Sequence, residues 1–371
     1  MVSARSTIWL NRFAWFTAVA TLLLICSGGM VTSKGVGLAV PDWPTTFGYN
    51  MFLFPVSKWI GGIFFEHTHR LIASTVGFLT IILAIWLWVG QVRQSIRNLG
   101  LIAVAGVILQ GILGGLRVTM LKDQIGIFHA SLAQAFLGLI VLIALMTTNF
   151  WRSLSNVIDS RGSRLADPLG VTRPRRAAPA GSVVDLKKFA PLKTLAFGAT
   201  IAIYVQLTLG ATVRHQHRDL AILDFPTANG AWIPDTSPNT LAQLNSWRDA
   251  RGYSDVTAFQ IWLQMAHRFL ALIIAVAVFF FCLRVWRDAR GIAALRRLSI
   301  WWVALLFLQL TLGAWTIWSN KAADIATAHV AVGATMLSFG VSSCAICWRI
   351  LHGRAVERST TRFKAGGAEV T

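Results

Sequence analysis

Apolar residues fill whole stretches of about twenty positions, separated by shorter segments rich in Arg, Gly, Pro and other polar residues. A bilayer core of about 30 Å needs roughly 20 apolar residues of helix, because the backbone polar groups must be satisfied within the segment. Eight stretches meet that requirement, at residues 8–31, 67–90, 99–120, 125–149, 191–213, 262–284, 299–318 and 324–348. The pattern predicts an all-α polytopic membrane protein of eight transmembrane helices. The first stretch is read as a span and not a cleaved signal, since its apolar run is long and leads into Gly28, Gly29 and a loop without a small-residue cleavage motif.

Composition agrees with the pattern and adds an orientation. Of 371 residues, 55% are hydrophobic and 13% charged, a balance foreign to a soluble domain of this size. The net charge of +19 is dispersed between apolar runs, so it does not form the continuous basic face of a nucleic-acid binder. Most Lys and Arg fall before the first span, in the even-numbered loops and after the last span, including Arg173, Arg175, Arg176, Lys187 and Lys188 in the middle. The positive-inside rule therefore predicts cytoplasmic termini in a plasma (inner) membrane, with the loops at 32–66 and 214–261 facing outward. Residues 151–190, with Pro168, Pro174, Pro179 and several Gly, read as a cytoplasmic linker between a first half at 1–150 and a second at 191–350. A basic tail at 351–371 follows. Cys26, Cys282, Cys344 and Cys347 all lie in apolar segments and predict no outward disulfide; the CxxC at Cys344 and Cys347 reads as packing.

The two halves repeat one another. GGMVTSKGVGLAVPDWP, EHTHRLIA, LQGILGGLRV and FHASLAQAFLG in the first correspond in order to LGATVRHQHRDLAILDFP, QMAHRFLA, LQLTLGAWTI and AHVAVGATML in the second. His69 maps to His267, Gln110 to Gln309, Gly114 to Gly313 and His129 to His329, while Asp42-Trp43-Pro44 maps to Asp224-Phe225-Pro226. Four spans per repeat is an even number, so both halves run the same way through the membrane, related by an axis along its normal. Two pseudo-symmetric four-helix bundles side by side are expected.

Four histidines occupy matched places near the outward ends of the second, fourth, sixth and eighth spans. Two imidazoles at equal depth on different helices of one bundle suit the two axial positions of a haem iron. Phe65, Phe128, Ala130, Phe269 and Ala328 would let a flat ring pack beside them. A single membrane His more often bonds a neighbouring helix, but duplication of the pair favours ligation by His69 with His129 and by His267 with His329. Zinc is disfavoured, as neither set brings a third ligand at consistent spacing. Arg70 and Arg268 directly follow two of the histidines; pairing with haem propionates and snorkelling to lipid phosphates are equally open. Arg117, near the outward end of the third span, could meet a propionate, though snorkelling is the simpler account. Asp42 and Asp224 either cap the pockets, with Trp43 and Phe225 as lids, or form interfacial turns. His67, His215 and His217 could bind a metal or contact propionates, but a solvated loop role is favoured.

The halves differ where chemistry would need it. Glu66 stands three residues before His69, while its counterpart is Gln264. A carboxylate there can take a proton and an amide cannot, which makes the first half the candidate for catalysis. A solvated carboxylate at the head of the helix is the alternative.

The EHTHR motif, the PDWP loop after a Gly-rich span end, the four matched His and the eight-span duplication together resemble the haem A synthase family, over roughly residues 12–150 and 190–350. The resemblance implies an oxidoreductase that converts the C8 methyl group of haem O to a formyl group, giving haem A for haem-copper oxidases, with water as the oxygen source. It implies His69 and His129 flanking the substrate haem, His267 and His329 holding haem b, and Glu66 as the functional acid. It also implies the lipid bilayer, a haem O synthase (protohaem farnesyltransferase) and an electron-transfer partner as associates, no nucleic acid, and scope for a homo-oligomer. The chain departs from one branch of the family in having no Cys at 32–66 or 214–261, so it resembles the cysteine-free form. A non-catalytic dihaem b-type cytochrome would use the same His pairs, but would normally place haems toward both faces. A haem transporter would need to release its cargo, for which permanent bis-His clamps are poorly suited.

Overall fold

The structure is a computed structural model and describes residues 4–90, 92–152, 154, 186–216, 220–289 and 292–352. Among these, α1 (Ala4–Ser33), α2 (Gly61–Val89), α3 (Gln94–Met120), α4 (Asp123–Met146), α5 (Leu186–Gln216), α7 (Ala258–Asp288), α8 (Ala293–Trp318) and α9 (Ala323–His352) are long, and α6 (Pro238–Asp249) is short. The eight long helices are each apolar enough to cross a membrane, and they match the eight expected spans one for one. The described residues contain no β-strand, only the isolated bridges Thr46–Tyr49 and Ala228–Ala231. Most of the expected linker at 151–190, nearly all of the tail at 351–371, and His217 lie outside the described residues.

All eight long helices begin earlier than the apolar stretches, most of them by four to six residues. α2 starts at Gly61 against an expected 67, and α7 at Ala258 against 262; α3 and α8 likewise gain several residues. Helical hydrogen bonding continues through the polar turns that border lipid, because their backbone groups are satisfied by the helix whatever the side chains face. Thr257 closes α7 with a reciprocal capping box to Gln260. Leu121, at a left-handed φ of 54°, ends α3 and turns the chain straight into α4.

Each half closes a ring. α1 touches α2, α2 touches α3, α3 touches α4 and α4 returns to α1; α5, α7, α8 and α9 repeat the circuit. The halves meet through α1 on α9, α5 on α4, and α4 on α9, the pattern that a two-fold relation along the membrane normal produces. The share of the apolar window buried is accordingly 56% for α9 and 17% for α3, which faces lipid on most sides. Since lipid tails are as apolar as Leu, close packing holds the helices together. Small residues supply it: a Cβ at Gly29 would stand 2.9 Å from the Thr327 methyl, and one at Gly340 2.5 Å from the Thr200 hydroxyl. Ile25, Leu137 and Ala334 form a small apolar core in the seam between halves. At the far end Asn11 donates to the Ala144 carbonyl (2.8 Å) and to Thr147 (2.9 Å), tying α1 to α4.

The loops after α1 and α5 and the N-terminal ends of α2, α4, α7 and α9 share one face of the molecule, called the loop face below. There α6 and the following turn cover a second apolar layer of Ala221, Ile222, Ala228, Val256, Ile261 and Met265.

Candidate functional site

His69, His129, His267 and His329 lie six to nine residues inside α2, α4, α7 and α9, about 9–14 Å below their loop-face ends at the α-helical rise. A glycine on a neighbouring helix makes room for each ring. A Cβ at Gly28 would stand 2.9 Å from His69 Cε1, at Gly114 3.4 Å from His129, at Gly210 3.1 Å from His267 and at Gly313 3.1 Å from His329. The His267 and His329 ring centroids are 6.5 Å apart. An iron bonded by one nitrogen of each imidazole at roughly 2 Å would place the centroids about 6 Å apart, so this pair fits a shared axial metal. All four Nδ1 atoms are buried without a hydrogen-bond partner among the described residues. No group of three or more His, Cys, Asp or Glu gathers among those residues. The donor sets are pairs, and the group they suit is one that supplies its own equatorial ligands.

Glutamines secure the helices that carry the rings. Gln110 donates to the His129 carbonyl (3.1 Å) and Gln206 to the His267 carbonyl (2.9 Å), while Gln309 Nε2 lies 3.4 Å from His329 Nε2.

Above each pair the loop is built around an aspartate. Asp42 accepts from the Phe47 (2.7 Å) and Gly48 (2.9 Å) amides and the Thr45 hydroxyl. Asp224 does the same with Asn229, Gly230 and Thr227. These bonds hold a tight turn in which Phe47 and Asn229 take left-handed φ of 50° and 54°, each followed by a left-handed glycine. Both turns follow a cis peptide, Trp43–Pro44 and Phe225–Pro226. Partial burial tends to raise the Asp42 pKa, but the hydrogen bonds outweigh it and hold the carboxyl below its ordinary value; Asp224 behaves alike. The aromatic lids lean on the third helix of their own half. A Cβ at Gly115 would stand 2.6 Å from the Trp43 indole, and the Phe225 ring meets Trp318 at 6.0 Å.

Arg70 and Arg268 reach up into these loops. Arg70 donates to the carbonyls of Val40 (2.9 Å), Asp42 (2.7 Å) and Thr45 (3.1 Å). Arg268 donates to those of Asp224 (2.7 Å) and Thr227 (2.8 Å). Glu66 is 3% exposed, which settles the solvated alternative against it. Its carboxylate accepts from the Val40 amide (2.9 Å) and pairs with Arg70 (2.8 Å). In the second half Gln264 holds the equivalent loop segment without a charge, accepting from the Ile222 amide and donating to its carbonyl at 3.0 Å each. The same anchor is thus ionic in one half and neutral in the other.

Several expectations change. His67 is not solvated: it is fully buried between Phe54 and Trp59, at ring distances of 5.0 and 4.8 Å, with Nδ1 3.2 Å from the Thr46 hydroxyl. The aromatic loop folds back over it, which helical spacing alone does not reveal. His215 belongs to the last turn of α5, and a Cβ at Gly126 of α4 would stand 2.7 Å from its Cε1, so it packs between the halves. Phe128 (68% exposed) and Phe269 (46%) point away from the histidines they adjoin, because consecutive residues lie about 100° apart around a helix. Cys344 meets Thr200 (3.3 Å) and Cys347 is buried, as packing residues would be; all four cysteines are free. Arg117 turns inward against Gly37, where snorkelling was the simpler expectation, and the bonds of Arg214 across to α1 were not foreseen. The signal available was an unmatched charge in an otherwise repeated sequence.

Among known proteins, the chain is 30% identical to a heme A synthase of Shouchella clausii over 61% of its own length and 66% of the relative's. A heme A synthase of Halalkalibacterium halodurans matches at 30%, also over 66% of that protein. One from Shewanella oneidensis is 26% identical over 89% of this chain and 93% of its own. Residues 54–341 match the family described as COX15-CtaA, cytochrome oxidase assembly protein. That match takes in both His pairs, the Asp224 turn and the Glu66 to Gln264 difference, and the chain belongs to this family.

Proposed function

We propose that the protein oxidises haem O to haem A. The observation that carries this reading is that two duplicated His pairs lie toward one face of the bundle, and only the first has a buried carboxylate one turn away. Conversion of a methyl to a formyl group with water as oxygen source releases electrons and protons in equal number. The substrate half must therefore offer a proton acceptor and the molecule an electron path.

In this reading His69 and His129 hold the substrate haem, and the glycines facing them admit a flat macrocycle close to the helix backbones. Glu66 accepts protons at its carboxylate, which first has to leave Arg70; the ion pair and the Val40 amide fix where that carboxylate waits. Arg70 keeps the loop seated over the site and excludes water. His267 and His329 would hold haem b, which supplies electron transfer when bound. Gln264 gives that half the same loop anchor with no proton to exchange. The charge distribution supports a plasma (inner) membrane location with cytoplasmic termini and the loop face outward. A haem O synthase and an electron carrier belong to this reading as associates, and self-association is compatible with it. A dihaem cytochrome is disfavoured because both pairs lie toward the same face.

The test is expression in cells that make haem O but lack their own haem A pathway, followed by extraction and chromatography of the haems. Haem A or its hydroxylated precursor is expected. Haem B with unchanged haem O alone would refute an enzymatic role.

A further inference from the structure

Arg70 and Arg268 are engaged by loop carbonyls, which leaves a different cation over the first His pair. Arg117 sits one turn from the loop-face end of α3, partly buried. It does not reach for lipid. Its guanidinium turns inward beneath the first loop, where a Cβ at Gly37 would stand 2.8 Å from Nη2. No described residue hydrogen-bonds that guanidinium. On α3 Arg117 stands one turn above Gly114, the glycine that faces His129. Of the acids in range, Glu66 is tied to Arg70 and Asp123 is exposed at the start of α4.

Two more basic groups arrive from the other half. Arg214 of α5 crosses the seam and donates to the Gly29 carbonyl and the Ser33 hydroxyl of α1, with its Nε buried and unpartnered. His215 lies against Gly126, one turn before His129 on α4. Both lie in the last turn of α5, within electrostatic range of Arg117. The repeat offers none of this to the second site: Thr316, Thr32 and Ser33 occupy the positions equivalent to Arg117, Arg214 and His215.

We propose that the Arg117 guanidinium, backed by Arg214 and His215 of the second half, recognises the carboxylates of the tetrapyrrole held between His69 and His129. This rests on the haem-substrate reading above and specifies it. The ligand class is a flat macrocycle with anionic side chains, and the charged rim distinguishes the substrate site from the permanent one. A planar five-donor fork with free donors suits a carboxylate, and burial beneath the loop strengthens the pairing.

The test uses the full-length protein purified from cells that supply haem b only. It is titrated with iron protoporphyrin IX and, separately, with its dimethyl ester. First-site binding is the Soret increment lost in a His129→Ala variant. Comparing the ratio of the two affinities between variants cancels partition into detergent. The wild type is expected to prefer the free acid by about tenfold, the scale of one charge-assisted hydrogen bond. Arg117→Gln should bring the preference near unity while the second-site Soret band stays unchanged, and Arg117→Lys should retain part of it. Gly37→Ala, which pushes the guanidinium aside without removing its charge, should act in the same direction as Arg117→Gln. Equal affinities in the wild type, or full preference in both Arg117→Gln and Gly37→Ala, would overturn the rim while leaving the histidine sites intact. Failure of both compounds to bind at the first site would instead remove the haem-substrate reading, and the rim with it.

Discussion

Glu66 and Gln264 occupy equivalent positions and hold equivalent loop amides, yet only one of them can carry a proton. The second half therefore shows in the same molecule what a Glu66→Gln variant should look like. The amide would still accept from Val40, and only the ion pair to Arg70 would go. Such a variant is expected to fold and to keep both haems, while haem A formation falls by about 10²–10⁴-fold, the usual scale for loss of a general acid or base. Chromatography of extracted haems beside a Soret spectrum of the same sample measures the two separately. Product formation at the wild-type level would remove Glu66 from proton transfer. Gly28 makes a steric counterpart: Gly28→Leu forces a side chain into the His69 ring, and should deplete first-site haem while sparing the second.

Among the elements, the aspartate turns carry a pH dependence whose sign can be worked out. Asp42 has its pKa lowered in the folded protein, so the turn gains stability above the ordinary carboxylate pKa of about 3.9 and loses it only as pH falls through the lower folded value. Hydrogen exchange at the Phe47 and Gly48 amides should stay protected through mildly acid pH and open in strong acid, once intrinsic rates are corrected. In Asp42→Asn that acid transition should disappear and protection at neutral pH should weaken, because an amide oxygen is a poorer acceptor than a carboxylate. An unaltered acid transition in the variant would show that another group controls the loop. The partly exposed setting of Asp42 keeps the effect local to the turn and small for the whole fold.

Across the whole molecule, the two rings are joined by a seam in which the second half supports the helices of the first site. Arg214 fastens α1 beside Gly29, next to the glycine that faces His69, and His215 rests on α4 one turn before His129. Gly126→Leu should press α4 and α5 apart and destabilise the protein by about 1–3 kcal/mol, the range for overpacking a closely fitted contact. First-site haem should be lost on heating before second-site haem. Simultaneous loss of both, at the wild-type temperature, would mean that the seam does not support the first site separately.

Much of this arrangement was legible in the residues. Eight apolar runs fixed eight helices, since a backbone in lipid has few other ways to satisfy itself. The duplicated His, the paired Gln and Gly and the Glu66 to Gln264 difference were visible because a repeat supplies its own comparison. Helix edges were less legible, because hydrogen bonding runs on past the point where apolar composition stops. The partners of the charged groups were not legible at all. Arg70 follows a histidine in the chain but lies under the carbonyls of a folded loop, and Arg117 stands far from Gly37 in sequence. His67 and His215 resembled loop residues until the aromatic segment and α4 were seen packed over them. Sequence alone determined the spans, the duplication and the paired donors, because these follow from local hydrogen bonding and from ligand chemistry. Tertiary structure alone decided which guanidinium is consumed by the loop and which is left without a hydrogen bond from the described residues, because that choice depends on side chains meeting across helices and across the seam.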